Sequence, residues 1–246
     1  MHEHQFRRQA ALYARHRPTY PRELFEYLTT VAPGRTCALD VGTGSGQAAV
    51  ALAEHFATVP AIDPSAEQLA HAAAHPRVTY QVGGAERLPM VDGSVDLILA
   101  AQAAHWFELD AFFAEARRVL RPRGVVAICG YKFTRIAPEI DAVMDHLYHG
   151  VVGAYWSPLV RMVEREYRDI AFPFEELSAP RLWIEVRWTL AELEGYVMSW
   201  SATQNYIADR GGNPLDLVRG DLVRAWGAAN AERLVRWPLS LRVGRI

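Results

Sequence analysis

The most constraining feature of the sequence is the stretch Leu39-Asp40-Val41-Gly42-Thr43-Gly44-Ser45-Gly46, set between an apolar run and a helix-like segment. Thr36 to Val41 is predicted to form a short strand, and Gln47 to Phe56 a helix. Between them three glycines let the backbone turn sharply and let a ligand approach the main chain. A strand, a glycine turn and a helix in immediate succession form the first βα unit of a doubly wound α/β sheet.

The rest of the chain continues this alternation. Strands are expected at Thr58–Asp63, Val78–Val82, Val95–Gln102 and Val125–Tyr131, and helices at Ser65–His75 and Leu109–Leu120. Alternating strands and helices with short breaks argue for a parallel sheet covered on both faces. Pro60 conflicts with this reading, because it removes a donor from the second strand. Phe6–Tyr20 reads as a helical arm and Pro21–Thr30 as a short helix, which together make residues 1–30 an N-terminal helical arm. Arg181–Thr189 and Trp237–Ile246 read as further strands, the last running antiparallel. Blocks 136–176 and 190–235 read as aromatic, helical cap insertions. The expected whole is one domain over residues 1–246: a Rossmann-like, largely parallel seven-stranded sheet with helices on both faces, an antiparallel C-terminal strand and a helical cap.

The 246 residues carry a formal net charge of -2 with 22% charged residues. No basic footprint for nucleic acid follows, and no run approaches a membrane span. The only cysteines, Cys37 and Cys129, lie in apolar runs, the pattern of a reducing compartment. The polar N-terminus lacks a signal-like apolar stretch. A cytoplasmic protein is expected.

The glycine loop also discriminates between ligands. It lacks the Lys of a phosphate loop. Its spacing is GxGxG, and Asp40 stands two residues before the first glycine, where a carboxylate would repel a pyrophosphate and favour an ammonium or sulfonium. S-adenosylmethionine fits, because it carries positive charge on nitrogen and sulfur and has no phosphate. Asp63 ends the next strand near the ~20-residue offset at which an acidic residue meets ribose hydroxyls. Alternatively, it caps the helix that Pro64 and Ser65 begin, with Ser65 as N-cap. Gly84-Ala85-Glu86, with Leu88 behind it, would meet the adenine. Ala101-Gln102-Ala103-Ala104-His105-Trp106 ends the fourth strand, where open α/β sheets bind ligands.

Together these residues resemble class I methyltransferases, and more narrowly the branch around trans-aconitate methyltransferase and related small-acid methyltransferases. The likeness extends over Tyr13 with Arg17–Pro21, Asp40–Gly46, Asp63–Ser65, Ala85-Glu86, His105–Phe107, Tyr155-Trp156 and Trp200-Ser201. The resemblance implies that Asp40, Gly42, Thr43, Gly44 and Gly46 surround the methionine moiety of the cofactor. Tyr13 and Arg17 would bind its carboxylate. Asp63, with Pro64 and Ser65, would hold the ribose, and Ala85 and Glu86 would lie at the adenine. Ala101 and Gln102 would border the sulfonium. Two departures stand out: Gly84 replaces an acidic residue common in relatives, and Arg123 replaces a turn glycine.

Methyl transfer is an in-line displacement, so the protein mainly holds nucleophile and methyl group in line. A carboxylate acceptor needs no base. A hydroxyl or amine acceptor would call on His105 as catalytic base. Trp106, Tyr131, Tyr155 and Trp156 are candidate substrate contacts, and Arg161 or Arg168 a clamp for an acidic substrate. No metal is expected, since Asp145, His146 and His149 fit a solvated helix face. The small-acid reading competes with nitrogen, carbon or hydroxyl methylation of a natural product or other metabolite, and with a non-catalytic cofactor-binding module.

Overall fold

The computed structural model describes residues 17–246. The sheet is built from eight strands among these residues: β1 Ala38–Val41, β2 Val59–Asp63, β3 Val78–Val82, β4 Val95–Ala101, β5 Leu120–Tyr131, β6 Glu175–Leu177, β7 Leu182–Trp188 and β8 Arg233–Arg245. Their order is β3-β2-β1-β4-β5-β8-β6, with β7 also paired to β8. The first five are parallel, and β8 runs antiparallel to β5, β6 and β7. The mixed α/β architecture agrees with expectation. The strand beyond the expected seven is the three-residue β6, too short to show a period in sequence. It lies at the end of the block expected to be wholly helical.

Side-chain alternation divides the core between the two faces of the sheet. Leu97 and Leu99 of β4 and Val125 and Ala127 of β5 join one cluster, with helix α1 (Arg22–Val31) and helix α2 (Gln47–Ala53). Ile98 and Ala100 of β4 and Val126 and Ile128 of β5 join the other, with Phe112 and Phe113 of helix α4 (Leu109–Val119). The first cluster continues into the cap. It takes in Ile140 and Met144 of helix α5 (Pro138–Asp145), Leu193 and Val197 of helix α7 (Leu190–Met198), and Leu222 and Trp226 of helix α9 (Arg219–Trp226). Helix α6 (Val160–Glu164) and helix α8 (Ser201–Arg210) also belong to the cap, with short 3-10 turns at Gly153–Tyr155 and Pro214–Leu217 and a π-helical turn at His146–Val151. Among the described residues no helix is long and apolar enough to cross a membrane.

Several local expectations shift. Residues 1–16 of the expected arm lie outside the described residues, while Arg17–Pro21 are non-helical and lead into α1. Pro60 does sit inside β2, and the sheet tolerates it by a break in one ladder. β2 pairs with β1 at Cys37–Thr58 and again at Asp40–Ala61 and Val41–Ile62, and Pro60 falls in the gap. The helix expected over Ser65–His75 stops early: α3 spans Ala66–Ala70, capped by the Ser65 side chain. Beyond it the Ala73 N–H donates to the Ser45 carbonyl, and the Tyr80 hydroxyl donates to the Ala73 carbonyl. These tertiary bonds draw the chain out of the helix and onto the glycine loop. The expected break at Arg121–Gly124 is a loop inside β5, which pairs with β4 at Val95–Leu120 and resumes at Leu97–Val125. Arg123 occupies it at φ +65°, which explains why a glycine suits this turn.

Candidate active site

The strand order reverses between β1 and β4, which opens a crevice at their carboxyl ends. The glycine loop lies on one side of it. Gly42, Gly44 and Gly46 have φ of +72°, +57° and +82°. A Cβ at Gly42 would meet the Ala103 methyl at 2.5 Å, and one at Gly46 would meet the Tyr80 hydroxyl at 2.1 Å. A Cβ at Gly44 would meet nothing within 4 Å. The loop therefore needs glycine for conformation at all three positions and for close packing at two.

Asp40 lies beneath this loop, fully buried. Its Oδ2 accepts from the Thr43 hydroxyl at 2.6 Å, while Oδ1 completes no hydrogen bond. Burial pushes the carboxyl up to about 7, and the charge of Asp63 adds to this. The Thr43 hydroxyl opposes it, as does the nearby Ala49 N–H to a smaller degree. Asp63, at the end of β2, joins the glycine loop to the start of the next helix. Its Oδ2 accepts from Gly44 N–H at 2.9 Å and its Oδ1 from Ser65 N–H at 2.8 Å. Burial raises its pKa against these two bonds. Capping and ligand contact are compatible here, because each carboxylate oxygen accepts more than one bond.

A groove of about 300 Å³ runs along these groups. Arg17, Asp40, Gly42, Thr43 and Gly44 line it, as do Asp63, Pro64 and Ser65, then Ala85 and Glu86, then Ala101 and Gln102. Gly46 instead stands behind the loop as the N-cap of α2. Tyr13 lies outside the described residues. Leu88, expected against an adenine face, is in the core, and its N–H donates to Glu115. Tyr20 and Phe107, quoted from sequence only within the family likeness and given no role in the site, and Gln68, not singled out at all, also line the groove. Their apolar or helical context carried no signal beyond packing.

A second cavity of about 130 Å³ lies against the groove. Arg17, Gln102, Trp106 and Tyr131 line both and form their common wall. The Arg17 guanidinium donates to the Tyr131 hydroxyl at 3.4 Å and the Ser199 carbonyl at 3.5 Å, and lies 5.4 Å from the centre of the Tyr196 ring. Gln102, at φ +56°, pairs with the Tyr131 backbone: its Oε1 accepts from N–H at 2.8 Å and its Nε2 donates to the carbonyl at 3.1 Å. Its side chain thus bridges the ends of β4 and β5 and holds the wall in place.

His105 lines the second cavity and is buried. Its Nδ1 lies 3.3 Å from the Tyr167 hydroxyl. Burial, with the Arg17 charge adding to it, lowers its pKa to about 3, so the ring is neutral at physiological pH and weakly basic. Trp156 lines this cavity as well, but Tyr155 does not. The Tyr155 hydroxyl donates to Asp209 at 2.7 Å and accepts from Arg210 at 3.0 Å, which ties the two helical blocks together. Arg161 is exposed and lines neither space, and Arg168 is exposed and paired with Glu166. Their place as cavity cations is taken by Arg17 and by Lys132, whose Nζ donates to the Glu164 carbonyl and to Glu166, both at 2.9 Å. Glu164, Tyr148, Tyr196 and Trp200 complete much of the wall, and sequence reasoning had not singled out their cavity positions. Among the described residues no cluster of three or more His, Cys, Asp or Glu could hold a metal.

A switch-point groove with a buried carboxylate under its glycine loop, opening into a small separate cavity, defines an α/β enzyme whose nucleoside cofactor brings positive charge in place of phosphate. A family model described as a methyltransferase domain matches residues 39–128. A candidate methyltransferase of Dictyostelium discoideum is 33% identical over 224 residues, covering 89% of this chain and 85% of its own. An uncharacterised methyltransferase of Mycobacterium tuberculosis is 42% identical over 113 residues, 46% of each chain. The solved structure of a candidate type II methyltransferase from Anaeromyxobacter dehalogenans is 48% identical, with a TM-score of 0.88, covering 93% of this chain and 97% of its own. The chain belongs to the class I S-adenosylmethionine-dependent methyltransferases, and S-adenosylmethionine is its cofactor.

Proposed function

We propose that the acceptor is a small molecule bound in the 130 Å³ cavity and that the atom methylated is a carboxylate oxygen of a small acid. The observation that carries this reading is the common wall: Arg17 lines both spaces, so an anionic acceptor end drawn to its guanidinium is placed against the cofactor groove. Bound in that groove, the cofactor supplies a methyl group activated by its sulfonium. A carboxylate oxygen would take that methyl group as the C–S bond breaks, with the electron pair left on sulfur and no proton to release. His105 is neutral and weakly basic, which suits a reaction that needs no base, and in this reading it hydrogen-bonds the acceptor.

In the same reading Asp40 and the glycine loop hold the methionine end, with Tyr13 at its carboxylate and the five-donor Arg17 guanidinium between that carboxylate and the acceptor. Asp63 meets the ribose, and Ala85 meets the adenine edge. Glu86 supplies the acidic group that Gly84 lacks. Its Oε2 lies 2.8 Å from where a Cβ at position 84 would stand, and its side chain lines the groove. A second reading, methylation of a hydroxyl or amine, is favoured by one observation: Glu164, hydrogen-bonded to the Tyr148 hydroxyl at 2.8 Å, places a carboxylate in the cavity that could take a proton.

The deciding experiment uses a cofactor with a labelled methyl group, small acids and a low-mass extract as acceptors, and mild base on the product. Volatile labelled methanol supports the carboxylate reading. Label that stays involatile overturns it in favour of nitrogen, carbon or ether-oxygen methylation.

A further inference from the structure

The acceptor cavity has an aromatic side with no counterpart in the cofactor groove. Phe133, Tyr148, Trp156 and Trp200 line it and do not line the groove. Tyr148 stacks on Trp156 at 4.6 Å with the planes 30° apart, and meets Phe133 edge-on at 4.5 Å. Trp200 lies 5.5 Å from Tyr148 and 5.6 Å from Trp156. The Trp156 indole is fixed by a bond from its Nε1 to the Tyr148 carbonyl at 3.3 Å. A carboxylate is tied to these rings. Glu164 also lines the cavity and not the groove, and its Oε1 accepts from the Tyr148 hydroxyl at 2.8 Å.

The charge of Glu164 is left unbalanced by the groups around it. Lys132 Nζ donates to the main-chain carbonyl of Glu164 and to the Glu166 carboxylate, both at 2.9 Å. Asp145, the other carboxylate on the lining, lies 3.6 Å from Arg135. Among the described residues the Glu164 carboxylate has no ion-pair partner. The hydroxyl it accepts from is neutral, because burial, and then the bonded Glu164 itself, push the Tyr148 pKa up. A carboxylate beside four aromatic rings and without a cation is costly, and a bound cation would offset that cost.

We infer that the acceptor carries an alkylammonium group at the end remote from the methylated atom, held by the Glu164 carboxylate and the rings of Tyr148, Trp156 and Trp200. The inference rests on the reading above in taking this cavity as the acceptor's, and it stands whichever other atom is methylated. Aromatic rings attract a cation within about 6 Å of the ring centre, Trp most strongly. The three ring centres lie within 5.6 Å of one another, so one small cation can come within that reach of all three. An anionic group at this end would be repelled by Glu164, and an alkyl group would leave its charge unbalanced. The group held here is not the one offered to the cofactor, because neither Glu164 nor these rings line the groove. The space of about 130 Å³ is smaller than the engineered cavity of about 150 Å³ that takes benzene, so it suits an ammonium on a short chain and not a ring.

The test measures Kd by calorimetry on the full chain saturated with S-adenosylhomocysteine, which keeps the probes out of the groove and away from Asp40. The probes are two pairs, β-alanine with butyrate and 3-aminopropanol with 1-butanol, each exchanging an ammonium for a methyl group at nearly fixed shape. The ammonium member is expected to bind at least tenfold tighter in both pairs. Glu164→Gln is expected to lower each ratio at least fivefold, and Trp156→Leu at least twofold, the second variant serving if the first fails to fold. Equal, weaker or absent binding of the ammonium members would overturn the inference. So would a preference that survives Glu164→Gln, the result expected if Glu164 acts only as a base. The same compounds are then assayed with labelled cofactor. Base-stable label on the β-alanine nitrogen would overturn both this inference and the carboxylate reading, whereas base-stable label on the 3-aminopropanol hydroxyl would overturn the carboxylate reading alone.

Discussion

Asp40 is a buried carboxyl whose ionisation is held in reserve. Folding raises its pKa from about 3.8 to about 7. Between these values the unfolded chain has released a proton that the folded chain retains, so stability falls as pH rises from about 4 to about 7. The full loss is on the order of 4 kcal/mol. Denaturant unfolding at pH 5 and pH 8 should show this slope, and Asp40→Asn should flatten it. A cationic ligand end beside Asp40 favours the ionised form, so cofactor Kd should tighten from pH 6 to pH 8 in the wild type and much less in Asp40→Asn. Arg161 gives the contrasting case. Its exposed side chain lines neither cavity, so Arg161→Ala is expected to leave kcat, KM and cofactor Kd unchanged in steady-state assays.

At the scale of elements, the loop inside β5 concentrates local cost and local anchoring. Arg121 reaches from it to the fully buried Asp96 at 3.0 Å, and Asp96 Oδ2 also accepts from the N–H groups of Thr36 and Cys37. This joins the start of β1 to β4 and β5. Two residues on, Arg123 holds a left-handed conformation that costs a side-chain-bearing residue roughly 1–2 kcal/mol. Arg123→Gly relieves this at an entropic cost of roughly 0.5–1 kcal/mol, so a net gain of about 0.5 kcal/mol is expected in urea unfolding, with activity unchanged. A loss of stability would show that the Arg123 side chain makes a contribution of its own. The cap is tied together in the same local way, through Tyr155, Asp209 and Arg210.

For the whole molecule, the proposed function rests on two spaces with one common wall, built from Arg17, the ends of β4 and β5, and the cap. Cofactor binding should stabilise this assembly as a unit. At a product concentration of 100 times Kd, S-adenosylhomocysteine should add about 2.7 kcal/mol. For a chain of this size that corresponds to a Tm rise of roughly 5–10 °C by thermal shift. NAD should give none, since Asp40 opposes a pyrophosphate at the loop.

What the sequence determined by itself was local in origin. Glycines at 42, 44 and 46 specify a turn that few other residues can make, Asp40 and Asp63 sit at strand ends, and alternation of strand and helix specifies a doubly wound sheet. These features are legible because short-range backbone geometry enforces them whatever the rest of the chain does. The sequence also led to the cofactor, since its charge complements Asp40. The tertiary structure decided everything that depends on where distant segments meet. It placed Arg161 and Tyr155 outside the second cavity and brought Arg17, Lys132, Tyr148 and Glu164 to its wall. It shortened α3 with a bond to Ser45, and it buried His105 until its pKa fell to about 3. Side-chain direction and burial in the cap follow from packing across long sequence separations, and periodicity along one segment does not encode them.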